Sequence, residues 1–199
     1  MKYPRFLGEN DTIGVTAMSA GVGYSLDDYK KSINNIEKFG FKICETKSVR
    51  VADKVSNTGE ERAKELDRLI NDQDISMVMC ACGGDFAIEM MPHVNDESII
   101  NNIKWYAGAS DPTSFLYYVT TKFDIATLYG FNAGSFDQDV LHKSQLNFLD
   151  IIKGNITADN CKFINNPKDG YKYILSNTDE DETVLVCGSF YMMSDIFGE

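Results

Sequence analysis

The sequence has 199 residues, 43% of them hydrophobic and 25% charged, enough for one complete core and a small second domain. A formal net charge of −11 with scattered basic residues argues against nucleic acid and against an anionic membrane surface as partners. No run approaches the ~18 apolar residues of a membrane span, and Met1-Lys2-Tyr3-Pro4-Arg5 lacks the apolar centre of a signal peptide.

In chain order, Thr12 to Ala17 reads as a strand entering the loop Met18-Ser19-Ala20-Gly21-Val22-Gly23. Ser25 suits the N-cap of a helix through Phe39, with Leu26, Tyr29, Ile33, Ile36 and Phe39 at helical spacing and Gly40 ending it. Residues 41–44 form a second short strand. Thr58 and Glu61 fit a capping box opening a helix through Asn71, with Ala63, Leu66, Leu69 and Ile70 inward. Residues 75–82 are nearly continuous apolar sequence, as a parallel strand covered on both faces requires. Gly83-Gly84-Asp85 follows, then a short helix carrying Ile88, Met90 and Met91. Residues 103–107 form the next strand, 113–122 a helix, and 125–129 a further strand leading to Gly130-Phe131-Asn132-Ala133-Gly134. A helix over 144–153, stopped by Gly154, closes this part.

Strand–helix alternation of this kind predicts an α/β fold, an open and mostly parallel sheet flanked by helices, over residues 1–154. From 155 to 199 the character changes. Residues 165–170 are turn-rich, and 171–175 and 183–187 look like strands of a separate, partly antiparallel unit.

Cys44, Cys80, Cys82, Cys161 and Cys187 are odd in number and lie mostly in apolar runs. With no histidine nearby and no second cysteine pair, they read as buried free thiols in a reducing compartment rather than as metal ligands. No metal site and no cofactor is expected.

Ser110 follows an apolar run and precedes a helix, in Gly108-Ala109-Ser110-Asp111-Pro112. A serine at a sharp strand-to-helix turn has its hydroxyl lifted from the sheet edge, where a nucleophile is needed. The free N–H groups of Asp111 and Thr113 would then face a developing oxyanion at the positive end of the helix. The plainer reading makes Ser110 an N-cap and Asp111 a first-turn acid. In parallel sheets, however, ligands collect beyond the carboxyl ends of the strands. That rule brings Gly83-Gly84-Asp85, Ser110-Asp111 and Tyr129-Gly130 to one rim. Asp85 suits either a substrate contact or a helix cap; Tyr129 and Asn132 are rim candidates, Tyr129 equally a packing residue; Trp105 reads as core.

The ordered set Asp11-Thr12-Ile13-Gly14-Val15-Thr16-Ala17, Glu61-Arg62-Ala63-Lys64-Glu65-Leu66, Gly83-Gly84-Asp85, residues 104–113 and Thr127-Leu128-Tyr129-Gly130 resembles the LD-carboxypeptidases, serine peptidase family S66. The Gly-Gly-Asp loop is similar to that of the microcin C immunity branch. The resemblance covers residues 5–155 and is faint beyond. It implies an α/β domain followed by a β-rich domain, with the active site between them, and a cytoplasmic homodimer. It also implies cofactor-free hydrolysis of an L,D-peptide bond, as in a murein tetrapeptide, or of a related C-terminal amide. Ser110 matches the family's nucleophile, and the amide of Asp111, with one from Gly84 or Asp85, matches the oxyanion hole.

In that family the serine is activated by a histidine that a glutamate orients, both in the second domain. This sequence holds only His93 and His142, and neither matches that base. The expectation is a family member ending just inside its second domain, inactive or nearly so as these 199 residues. Two alternatives stand beside it: a non-catalytic peptide-binding pseudoenzyme, and an unrelated phosphate- or nucleotide-binding α/β domain. The second is weakened because no third glycine follows Gly21-Val22-Gly23.

Overall fold

The computed structural model describes residues 1–157 and 166–177, and the chain divides into two compact units, Met1–Ile156 and Thr157–Glu199. The first holds a five-stranded, all-parallel sheet in the order β2-β1-β3-β4-β5. Its strands are β1 (Thr12–Thr16), β2 (Lys42–Glu45), β3 (Ile75–Cys80), β4 (Trp105–Gly108) and β5 (Leu128–Tyr129). The helices α1 (Leu26–Glu37), α2 (Gly59–Asn71), α3 (Asp96–Asn101), α4 (Thr113–Phe123) and α5 (Lys143–Ile152) join and flank them.

The alternation of β3 explains its apolar run. Met77 and Met79 pack with Tyr29, Ile33 and Ile36 of α1 and Phe148, Leu149 and Ile152 of α5. Val78 and Cys80 pack on the opposite face with Leu66, Leu69 and Ile70 of α2 and Phe115, Leu116 and Val119 of α4. Both faces of the strand are therefore covered, as helices on each side of a parallel sheet demand. Trp105 is 4% exposed and donates its indole N–H to the Arg5 carbonyl at 3.0 Å, so it belongs to the core.

Several elements differ from expectation. The segment after Asp85 is two 3₁₀ turns, Ala87–Glu89 and Met91–His93, because Pro92 cannot continue a helix; the α-helix proper starts later, at Asp96, capped by Asn95. β4 begins at Trp105 because the Lys104 ammonium turns away to cap α2, donating to the Leu69 carbonyl at 3.1 Å and to that of Asp72. β5 pairs over two residues only. Before it, Ala126 bonds back to Lys2 at 2.8 Å, and Asp124 ends α4 in the left-handed region with φ 57°.

The second unit corrects the sequence reading outright. Residues 171–175, expected as a strand, lie within the helix α6, Pro167–Ser176. The Asn166 side chain accepts from the N–H groups of Lys168 and Asp169, and Pro167 occupies the first turn, where no N–H is needed. The strand expected at 183–187 lies outside the described residues. Among the described residues no helix is long and apolar enough to cross a membrane.

Candidate active site

The carboxyl ends of the parallel strands deliver the predicted site residues to one edge, where their loops bond to one another. The Ala20 N–H, after β1, donates to the Gly83 carbonyl, after β3, at 3.3 Å. The Gly134 N–H, after β5, donates to the Ala81 carbonyl at 3.0 Å. The chain leaves β1 toward β2 and returns to β3 on its other side, so these loops flank the point where strand order reverses, the usual ligand position in such sheets.

Ser110 lies directly after β4 with φ 65°, in the left-handed region that only a few non-glycine residues occupy. Holding an L-residue there costs about 1–2 kcal/mol, so the surroundings must over-determine it. Its carbonyl accepts from the Thr113 N–H at 3.0 Å and from the Thr113 hydroxyl. Its own side chain caps nothing, and the N-cap position of α4 falls to Pro112. The plainer reading of Ser110 as a helix cap therefore fails. Ser110 is exposed, and no side chain among the described residues hydrogen-bonds its hydroxyl.

The Asp111 carboxylate acts across the site rather than along its own helix. It accepts from the Ala87 N–H at 2.8 Å, latching the loop after β3 onto the serine turn. The Ser19 hydroxyl accepts from the Phe86 N–H at 2.8 Å, holding the same loop from the other side. Gly84 has φ 148°, and a β-carbon there would lie 2.3 Å from Ser19 Oγ. Gly83 faces the serine: a β-carbon on it would come within 3.2 Å of Ser110 Cβ and 3.3 Å of its Oγ. Asp85 is exposed and caps no helix, contrary to the capping alternative. The N–H groups of Gly84, Asp85 and Asp111 donate to no acceptor among the described residues. That of Thr113, expected free, is taken by the Ser110 carbonyl.

Beneath this edge lies Arg62, fully buried in α2. Its guanidinium donates to the carbonyls of Met18 at 2.5 Å, Phe86 at 2.9 Å and Asn57 at 3.0 Å, and pairs with Glu89 at 3.2 Å. The sequence reading passed over it, although Arg62 falls in phase with the inward Leu66 and Leu69, where a charge needs a partner. Ser19 was missed as well; only its place in the loop after a strand marked it.

Neither histidine approaches the serine's hydroxyl in a hydrogen bond. His93 is exposed in the second 3₁₀ turn. His142 caps α5, its Nδ1 accepting from the Ser144 N–H at 3.2 Å. Burial pushes the thiol of Cys80 up to about 12 and that of Cys82 up to about 11, so at neutral pH neither is a thiolate nucleophile. Tyr129 is 68% exposed, which discards its alternative as a packing residue.

The sequence from 13 to 130 matches the model of the LD-carboxypeptidase N-terminal domain of peptidase family S66. The chain belongs to this family. It is 31% identical over 126 residues to the microcin C7 self-immunity protein MccF of Escherichia coli, a stretch covering 62% of this chain and 37% of that protein. It is 26% identical over 132 residues to a carboxypeptidase-designated protein of Vibrio cholerae, covering 65% and 40%. Among solved structures, MccF with aspartyl sulfamoyl adenosine superposes with a TM-score of 0.69 at 28% identity, over 75% of this chain and 46% of that one. An MccF-like protein of Bacillus anthracis gives 0.72 at 21% identity, over 76% and 47%, a likeness of fold. The matches span less than half of each relative's length.

Proposed function

We propose that this S66 chain carries the nucleophile of a serine peptidase of LD-carboxypeptidase type, with Ser110 as the attacking residue. The observation that carries the reading is the left-handed Ser110 turn at the carboxyl end of β4, lying against Gly83 of the loop whose Gly84 and Asp85 amides have no acceptor among the described residues. The Ser110 oxygen adds to a carbonyl carbon, its proton passing to a base and on to the departing amine. Water then releases the acyl group as a carboxylate. The N–H groups of Asp111 and of Gly84 or Asp85 stabilise the oxyanion at each stage. No metal or cofactor enters this scheme.

The substrate is a small peptide or amide, either an L,D-linked murein peptide or an amide at a peptide's carboxyl end. Two likenesses support the second form. MccF has been solved with aspartyl sulfamoyl adenosine and with glutamyl sulfamoyl guanosine, both aminoacyl conjugates. A further MccF structure is an active-site mutant in which a serine, an asparagine and a lysine are alanine, which agrees with a serine at the reactive centre. A cytoplasmic homodimer belongs to the same proposal, on family likeness.

With His93 exposed and not bonded to the serine, and His142 engaged in capping α5, the base comes from outside the described residues, and the 199 residues alone turn over weakly. Absence of a base removes a factor on the order of 10⁴–10⁶. The test is exposure of the chain and of its Ser110→Ala variant to a fluorophosphonate, followed by intact-mass measurement. Slow phosphonylation confined to Ser110 is expected. A chain left unmodified, or modified equally in the variant, would leave the pseudoenzyme or nucleotide-binding alternatives, which thermal shift with a murein tetrapeptide and with adenosine monophosphate would separate.

A further inference from the structure

We infer that Asn132 is a positioning residue for the Ser110 turn, acting through the backbone of Ala109. The inference rests on Ser110 being the nucleophile for its catalytic meaning, but not for its geometry. The β4–β5 ladder runs Ala107↔Leu128 and Gly108↔Tyr129, and the Gly130 N–H donates to the Gly108 carbonyl at 3.1 Å. There the main-chain pairing stops. One residue further, the Asn132 carboxamide replaces the missing strand: Oδ1 accepts from the Ala109 N–H at 3.0 Å, and Nδ2 donates to the Ala109 carbonyl at 3.3 Å.

Asn132 is 9% exposed, so neither of these bonds competes freely with bulk water. A β-carbon on Gly108 would lie 3.4 Å from Asn132 Oδ1 and 2.9 Å from Pro112 Cβ, so the glycine lets the amide reach its place. Both backbone groups of Ala109 are thereby tied down next to the residue where the chain turns left-handed. An amide fits both groups at once because it offers one acceptor and two donors on a planar end. Aspartate offers no donor while ionised, and alanine offers neither group.

The test uses the full chain and its Asn132→Ala and Asn132→Asp variants. Melting temperature, hydrogen exchange of the Ala109 amide against core amides such as Val15, and the phosphonylation rate of Ser110 are measured together. In Asn132→Ala the Ala109 amide is expected to exchange about tenfold or more faster than in the parent, with Val15 little changed. Phosphonylation is expected to fall about ten- to a hundredfold, the penalty of a displaced reacting group. In Asn132→Asp both defects should recede on acidification, as the protonated side chain regains a donor toward the Ala109 carbonyl. Unchanged Ala109 exchange in a folded variant overturns the inference, as does loss spread equally over the core. If the parent itself is not phosphonylated, the nucleophile reading fails alone, and Ala109 exchange still decides the clamp. If Asn132→Ala does not fold, the acid-dependent recovery in Asn132→Asp decides it.

Discussion

Ser110 is held in an uncommon backbone state beside a loop that is itself held, and the most sensitive position of that loop is Gly84. With φ 148° and a β-carbon that would meet Ser19 Oγ at 2.3 Å and the Ala20 nitrogen at 2.9 Å, the position admits no side chain without moving the loop after β1. Gly84→Ala should therefore lower the unfolding free energy by about 1–3 kcal/mol, read from urea titration. It should also release the Phe86 amide from Ser19, visible as faster exchange. At this scale much was legible: Gly108-Ala109-Ser110-Asp111-Pro112 announced a turn, and the strand-end rule brought Gly83-Gly84-Asp85 to the same rim. The partners were not legible. Nothing local says that the Asp111 carboxylate is taken by Ala87 rather than by its own helix, because that bond joins loops whose approach only the sheet determines.

Among the elements, caps separate residues of the same type by what they do. Thr58 accepts from the Glu61 N–H at 3.2 Å and starts α2. Ser25 occupies the N-cap of α1 but makes no such bond. Thr58→Ala should thus cost about 1 kcal/mol, whereas Ser25→Ala should change stability by less than about 0.5 kcal/mol, in parallel denaturant titrations. The helix α6 shows where sequence reading loses its footing. Tyr171, Tyr173, Ile174 and Leu175 form a short aromatic and aliphatic run that either period accommodates. The deciding signal was Asn166-Pro167 upstream, a helix-opening pair passed over as a turn. α1, α2, α4 and α5 were legible because each keeps its apolar stripe over ten residues or more.

For the molecule as a whole, the first unit is fastened to its own amino terminus. The Arg5 guanidinium donates to both oxygens of Asp11, at 2.7 and 2.9 Å, and Leu7 bonds to the Ile152 carbonyl at 2.8 Å beyond the sheet. The Arg5 hydrogen bonds, helped by the Gly8 N–H, hold the Asp11 carboxyl down to about 2 against the opposing effect of burial. Its folded value lies below the unfolded value of about 3.9, so this contribution is present above that value and is lost as pH falls toward 2. Urea midpoints near neutral pH and near the folded value should therefore lie closer together for Asp11→Asn than for the parent. A parent and variant with parallel acid dependence would remove Asp11 from the account. Sheet order was legible only as a class, because alternation gives parallel strands without saying that β1 sits between β2 and β3.

The clamp on Ala109 also has a meaning in time. A chain made from its amino terminus produces Ser19 and Arg62 well before Phe86, and Ala109 and Ser110 before Asn132. Each of these pairs closes a long loop, and contacts of high sequence separation form late. A nascent chain carrying Ser110 but not yet β5 has an ordinary, flexible serine. The held geometry of the Ser110 turn is thus a late product of folding, absent until the sheet is complete, so a stalled or partly folded molecule carries the residues of this edge without their arrangement.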